Sequence, residues 1–199
     1  MTDAARLLFV DDEPELREFF SSVFERNFHV VLAEDGDAGL EALERDGPFA
    51  VIVSDLNMPH LSGIEFLHRA RAIDGDAVRL VLTGHSDEES AIEAVNRGEI
   101  YRYLTKPVRV PTLRDAVHAG LQRYEVVRAE RDLVQNTLRG SIEVLTHALS
   151  LASPAIFGRV SRLRDDMLDF CRFLAIENAW ELETSAMLSQ IGLLVAPPT

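Results

Sequence analysis

The sequence predicts an α/β fold: a five-stranded, doubly wound parallel sheet, followed by a long helix and an all-α C-terminal segment. Three observations predict it. Between Leu7 and Pro107, short apolar runs alternate with segments of helical periodicity. The apolar runs are continuous, as in strands buried on both faces of a parallel sheet. After Pro111 the alternation stops and no further strand signal appears. Right-handed crossovers between parallel strands then place helices on both faces of one sheet.

Leu7 to Val10 is apolar and too short for a helix, so it is the first strand. Leu16, Phe19, Phe20, Val23 and Phe24 recur at spacings of three and four and form a helix. Phe28 to Leu32 is the second strand. A helix spans Asp37 to Glu44, ended by Gly47-Pro48. Ala50 to Ser54 is the most apolar run and the expected central strand. Ser62 to Ala72 is helical, with Ile64, Phe66, Leu67 and Ala70 inward. Leu80 to Thr83 is the fourth strand. Glu88 to Asn96 is a short helix closed by Arg97-Gly98, and Ile100 to Leu104 is the fifth strand.

Charged and apolar residues interleave at helical period from Thr112 to about Ser150. A heptad frame puts Leu113, Val117, Gly120, Tyr124, Val127, Arg131, Val134, Leu138, Ser141 and Leu145 on one seam. Such a helix leaves an apolar stripe that a partner helix can cover, so a homodimer through it is expected, with bending near Gly140. Ser153-Pro154 punctuates. Helical stretches follow at about Phe157 to Leu174 and Glu177 to Leu188. The expected organisation is therefore residues 1–122 as the α/β domain, 112–150 as a linker helix and possible coiled coil, and 151–199 as a helical output segment.

Composition narrows the function classes. The 199 residues carry 33 acidic and 20 basic side chains, a net charge of −13. Such a chain repels phosphate backbones unless its basic residues cluster, so no DNA partner is expected. Arg159, Arg162, Arg164 and Arg172 are interleaved with Asp165, Asp166 and Asp169 and do not cluster. One cysteine, Cys171, excludes a disulfide framework; its neighbours Phe170, Phe173 and Leu174 suggest a core position. No apolar run is long enough to cross a membrane and no signal peptide opens the chain, so the cytoplasm is the expected compartment.

Chemistry in a doubly wound sheet gathers outside the carboxyl ends of its strands. Asp11, Asp12 and Glu13 follow the first strand, and Asp55 follows the third. Thr83 ends the fourth, and Lys106 follows the fifth. Three aspartates at one rim repel unless some are protonated or a hard cation neutralises them, and oxygen ligands suit Mg²⁺. A lysine supplies a point charge for a phosphoryl oxygen or a carboxylate, and a threonine one directional hydrogen bond. Each motif alone has a plainer reading. Asp11-Asp12-Glu13 also suits a helix start, Thr83 a strand, Lys106 the surface and Tyr103 a half-buried aromatic. His60 and His85 are read as solvated loop residues.

Taken together, Val10-Asp11-Asp12-Glu13, Asp55-Leu56-Asn57-Met58-Pro59 with Ser62-Gly63, Thr83-Gly84 and Tyr103-Leu104-Thr105-Lys106-Pro107 resemble the receiver domain of two-component response regulators, a flavodoxin-like (CheY-like) fold, over roughly residues 5–122. The resemblance implies Asp55 as phosphoacceptor. It implies Mg²⁺ held by Asp11, Asp12, Asp55 and the backbone carbonyl of Asn57. It implies Thr83 and Lys106 at the phosphoryl group, with Thr83 and Tyr103 as the switch pair. The implied donor is a sensor histidine kinase or phosphotransfer protein.

The C-terminal part resembles the start of an HD-type phosphohydrolase, nearest the HD-GYP output domain. The resemblance rests on Thr137-Leu138 through Leu149, on Arg159-Val160, and on Ser185-Ala186-Met187-Leu188-Ser189-Gln190-Ile191-Gly192. Ser189 and Gln190 stand where the family has its His-Asp pair, and Leu193 stands at its lysine position. The family's earlier histidine falls near Ile156 or Phe157. The implied output is a degenerate, non-catalytic relative rather than an enzyme. The alternatives are a phosphorylation-gated cyclic di-GMP phosphodiesterase with motifs beyond Thr199, and a plain helical bundle.

Overall fold

The structure is a computed structural model that describes residues 5–84, 88–152, 154–174, 176 and 180–189. The chain divides into two compact units, residues 1–129 and 130–199.

In the first unit the order is β1 (Arg6–Val10), α1 (Pro14–Phe24), β2 (His29–Ala33), α2 (Gly36–Asp46), β3 (Val51–Asp55), α3 (Gly63–Ile73), β4 (Val78–Thr83), α4 (Glu88–Asn96), β5 (Arg102–Thr105) and the first part of α5 (Val110–Ala152). The five strands form one parallel sheet in the order β2-β1-β3-β4-β5. This is the doubly wound α/β fold the alternation predicts, with its strand order reversing between β1 and β3. Strands β2 and β5 begin one and two residues later than the apolar runs alone suggest.

The sheet sorts its side chains by parity, because successive residues of a strand point to opposite faces. Leu8, Val10, Ile52 and Val81 face one side and pack with Leu43, Phe66, Leu67 and Ala94 of α2, α3 and α4. Leu7, Phe9, Val51, Val53, Leu80 and Leu82 face the other and pack with Phe20 and Phe24 of α1 and with Leu113 and Val117 of α5. The Phe9 and Phe20 rings stack with centroids 4.2 Å apart. Every residue of β3 is buried, as expected for the central strand. Local sequence closes the helices: Asp35 caps α2 through the Ala38 amide, and Ser62 caps α3 through the Glu65 amide.

The position of α5 corrects the seam. Leu113 and Val117 are fully buried in the core, Tyr124 packs against it, and a β-carbon at Gly120 would meet Val51. The first part of the heptad stripe is therefore covered by the sheet of its own domain. The helix also runs through Gly140 without interruption.

The second unit holds the rest of α5, α6 (Pro154–Phe173) and α7 (Trp180–Leu188). Proline opens α6, where a missing amide costs no helix hydrogen bond. Ile142, Val160 and Met187 meet at its centre, one from each helix. Arg139 of α5 pairs with Glu183 of α7 at 2.6 Å. Cys171 is buried as expected, but Phe170, Phe173 and Leu174 around it are exposed. Their clustering in sequence marks one turn of helix and the bend after it, not one packed layer.

Candidate functional site

The switch point of the sheet carries the acidic cluster. Asp11 follows the last residue of β1 and is 1% exposed. The Glu13 amide donates to its carboxylate at 2.9 Å, so the turn into α1 fixes that side chain. Arg17, one turn into α1, donates to the Asp11 backbone carbonyl at 2.6 Å. Asp12 is exposed at the rim. Asp55 ends β3 and is 6% exposed. The Leu56 amide donates to the Leu82 carbonyl at 2.8 Å, continuing the β3–β4 ladder past the site. Carboxylate oxygens of Asp11, Asp12 and Asp55 all lie within 4.8 Å of one another.

Lys106 reaches this cluster from the end of β5. Its Nζ lies 3.0 Å from Asp11 Oδ2, 3.0 Å from Asp55 Oδ1 and 3.7 Å from Glu13. Its amide donates to the Thr83 carbonyl at 2.7 Å, tying the ends of β4 and β5 together. Burial pushes the Asp55 carboxyl above the usual aspartate range, and the Lys106 hydrogen bond and charge only partly pull it back. Burial also opposes the Lys106 charge, but hydrogen bonds to Asp55 and Asp11 outweigh it and hold the ammonium above the ordinary lysine value.

Thr83 is fully buried at the end of β4, and its hydroxyl donates to the Gly84 carbonyl at 3.0 Å. Tyr103 sits on β5 beside Val81, half-buried against the cluster that includes Ala94 of α4. Asn57 and His60 are exposed in the β3–α3 loop, with His60 at φ 67°. His85 lies outside the described residues. The structure thus brings Asp11, Asp12, Asp55 and Lys106 together, sets Thr83 on the adjoining strand end, and leaves Tyr103 packed below the rim.

Two contributors were not assigned from sequence. Arg17 interrupts the apolar pattern of α1 beside Leu16, and only its distance to Asp11 gives it a role. Gly63 is the other: a β-carbon there would collide with the Asp55 carbonyl, so α3 can start against the β3 end only with glycine. In the second unit, the Ser189 hydroxyl donates to the Ala186 carbonyl at 2.9 Å. Gln190 and Leu193, and the side chains of Ile156 and Phe157, lie outside what the structure describes.

The family model of the response regulator receiver domain matches residues 7–118. The chain belongs to this family. The receiver is a domain of two-component systems. Among curated relatives, the hydrogenase transcriptional regulatory protein HoxA of Bradyrhizobium diazoefficiens is 32% identical over 126 residues, covering 63% of this chain and 26% of its own. The transcriptional regulatory protein FixJ of the same organism is 30% identical over 137 residues, covering 68% of this chain and 66% of its own. The chain thus spans only about a quarter of HoxA. Among solved structures, one described as an adenylate cyclase from Rhodopirellula baltica is 34% identical, with a TM-score of 0.65, over 66% of this chain and 97% of that one. The receiver domain of an HD domain-containing protein from Pseudomonas fluorescens is 25% identical, with a TM-score of 0.60, over 65% and 95%. The curated relatives are mostly named as regulators rather than enzymes. Among the described residues, no helix is long and apolar enough to cross a membrane.

Proposed function

We propose that Asp55 is the phosphoacceptor of this receiver. The observation that carries the proposal is the shared contact of Lys106 with Asp11 and Asp55 at 3.0 Å, inside a cluster of three carboxylates. An Asp55 oxygen attacks the phosphorus of a phosphohistidine, the P–N bond breaks, and the imidazole leaves as an acyl phosphate forms. Lys106 stands where it can neutralise charge on the transferring group. The carboxylates of Asp11, Asp12 and Asp55 are hard oxygen donors at a spacing that fits Mg²⁺, with the Asn57 carbonyl as a further ligand. When bound, Mg²⁺ supplies charge neutralisation for the phosphoryl oxygens. Phosphorylation adds up to about two negative charges beside Lys106. Thr83 then turns its hydroxyl from Gly84 to a phosphoryl oxygen, and Tyr103 follows into the space behind it.

The organisation proposed is a receiver over residues 1–122, a linker helix over 112–150 and an output segment over 151–199 that acts by contact rather than catalysis. The HD-related reading of the output rests on the sequence pattern from Ser185 to Gly192. Ser189 and Gln190 replace the metal-binding pair, so no metal-activated water is expected there. A phosphodiesterase reading predicts cyclic di-GMP turnover with Mn²⁺, Fe²⁺ or Mg²⁺, and hydrolysis above a metal-free blank would restore it. The names HoxA and FixJ favour a second reading, a transcriptional regulator. The net charge of −13 argues against direct DNA contact by this chain, and a salt-sensitive shift of duplex DNA would reverse that.

The test of the phosphoacceptor is direct. Incubation with Mg²⁺ and radiolabelled acetyl phosphate, or with a phosphorylated histidine kinase, is expected to add one base-labile phosphoryl group. Asp55→Asn is expected to carry none. Label retained on that variant would remove Asp55 from the role.

A further inference from the structure

We infer that this protein self-associates through one face of α5 between Leu133 and Leu151, a surface distinct from the part of the helix that the receiver core covers. In this stretch both charged residues after Asp132, Arg139 and Glu143, lie on one side with Ile142. That side meets the rest of the second unit: Ile142 is buried with Val160 and Met187, and Arg139 bonds Glu183. At about 100° per residue, Leu133, Val134, Thr137, Leu138, Ser141, Val144, Leu145, Ala148 and Leu151 occupy the opposite side. All nine are exposed. Leu133 is 67% exposed, Val144 69% and Leu151 77%. Helices of soluble proteins turn the apolar side inward, and here the outward side is the more apolar one.

A second copy of this chain fits the face on three grounds. The face carries no charged side chain, so two copies can approach without desolvating an ion or setting like charges together. Large residues (Leu133, Val134, Leu138, Val144, Leu145, Leu151) alternate with small ones (Thr137, Ser141, Ala148), which lets a helix interleave with its own copy. The area also suffices. The face is about 27 Å long. Six large side chains offer roughly 600 Å² per chain before the small residues are added, close to the ~800 Å² per partner of a standard interface.

The chain carries a net charge of −13, so two copies repel at long range. Association through an uncharged apolar face therefore strengthens as salt screens that repulsion, whereas association through ion pairs weakens.

The experiment is sedimentation of the full chain at tens of micromolar, with and without acetyl phosphate, at low and high salt. The expected result is a species of twice the 22.2 kDa chain mass, favoured by salt. Val134→Glu with Leu145→Glu is expected to weaken association at least tenfold, while Glu143→Ala leaves it unchanged. A second readout does not depend on those variants folding. With Cys171 replaced by Ser, Ser141→Cys is expected to form an interchain disulfide under mild oxidation, and Glu143→Cys is not. A monomer in every condition would overturn the inference. So would association weakened by salt, or crosslinking through position 143 in preference to 141. None of these outcomes depends on whether Asp55 accepts phosphate.

Discussion

The Asp55 charge is opposed by burial more strongly than Lys106 favours it, so the folded state holds that carboxyl above its unfolded pKa. An acid raised in this way destabilises the fold while ionised, and the cost fades as pH falls through the raised value. In chelator, Asp55→Asn should therefore be more stable than the parent by ~1 kcal/mol near neutral pH, the usual size of such an active-site trade-off. The gain should shrink on acidification, because the parent then sheds the same charge by protonation. Denaturant melts across pH check both the sign and the trend. Arg17 makes a different case. It touches no proposed metal-binding carboxylate but holds the backbone of Asp11 at 2.6 Å. Arg17→Ala should weaken Mg²⁺ binding by about tenfold, the usual size of an outer-shell effect, with circular dichroism unchanged. Calorimetric titration with Mg²⁺ measures it, and Arg17→Lys should recover part of the loss. The positions of Asp11, Asp55, Thr83 and Lys106 were legible because each lies at or just after a strand end, and the carboxyl ends of parallel strands share one edge of the sheet. Arg17 and Gly63 were not, because their roles are to a backbone carbonyl that sequence does not place.

At the scale of elements, the strands and the receiver helices were legible because parity and period report burial directly. Leu7 and Phe9 go to one core and Leu8 and Val10 to the other, as a strand buried on both faces requires. Period does not report what covers a stripe. The heptad frame runs through Leu113, Val117 and Leu145 alike, yet the first two are sealed under the sheet while Leu145 is 56% exposed. The same limit produced the expectation for Phe170 and Phe173, which share a helix with buried Cys171 but not its side. One loop carries backbone strain, and one helix carries a residue of weak helix propensity. His60 sits at φ 67°, a region that burdens a side chain, so His60→Gly should raise receiver stability by up to about 1 kcal/mol. Gly158 lies inside α6, and a β-carbon there would meet nothing within 4 Å. Gly158→Ala should stabilise the second unit by about 0.5–1 kcal/mol. The two variants should shift different transitions in a calorimetric scan, and a shift of the wrong one would reject the unit assignment behind them.

Among the described residues, the two units differ in how much apolar surface they bury, and that difference belongs to the whole molecule. The first buries two facing clusters across a five-stranded sheet, with Phe9, Phe20, Phe49 and Phe66 almost fully enclosed. Among the described residues of the second, the buried apolar side chains are Ile142, Val160, Cys171, Ala186 and Met187. Buried apolar surface is the main term that stabilises a fold against its conformational entropy. Among the described residues, the second unit therefore encloses less apolar surface than the two clusters on the sheet. Heating should therefore melt the second unit first, in a transition separate from the receiver's. If a second copy covers α5, that lower transition is also a dissociation, and its midpoint should climb with protein concentration while the receiver's stays fixed. Val134→Glu with Leu145→Glu should abolish the concentration dependence. Mg²⁺ should raise only the upper transition, because its proposed ligands all lie in the first unit. One cooperative melt, moved as a whole by Mg²⁺ and insensitive to concentration, would mean that the two units are energetically one domain.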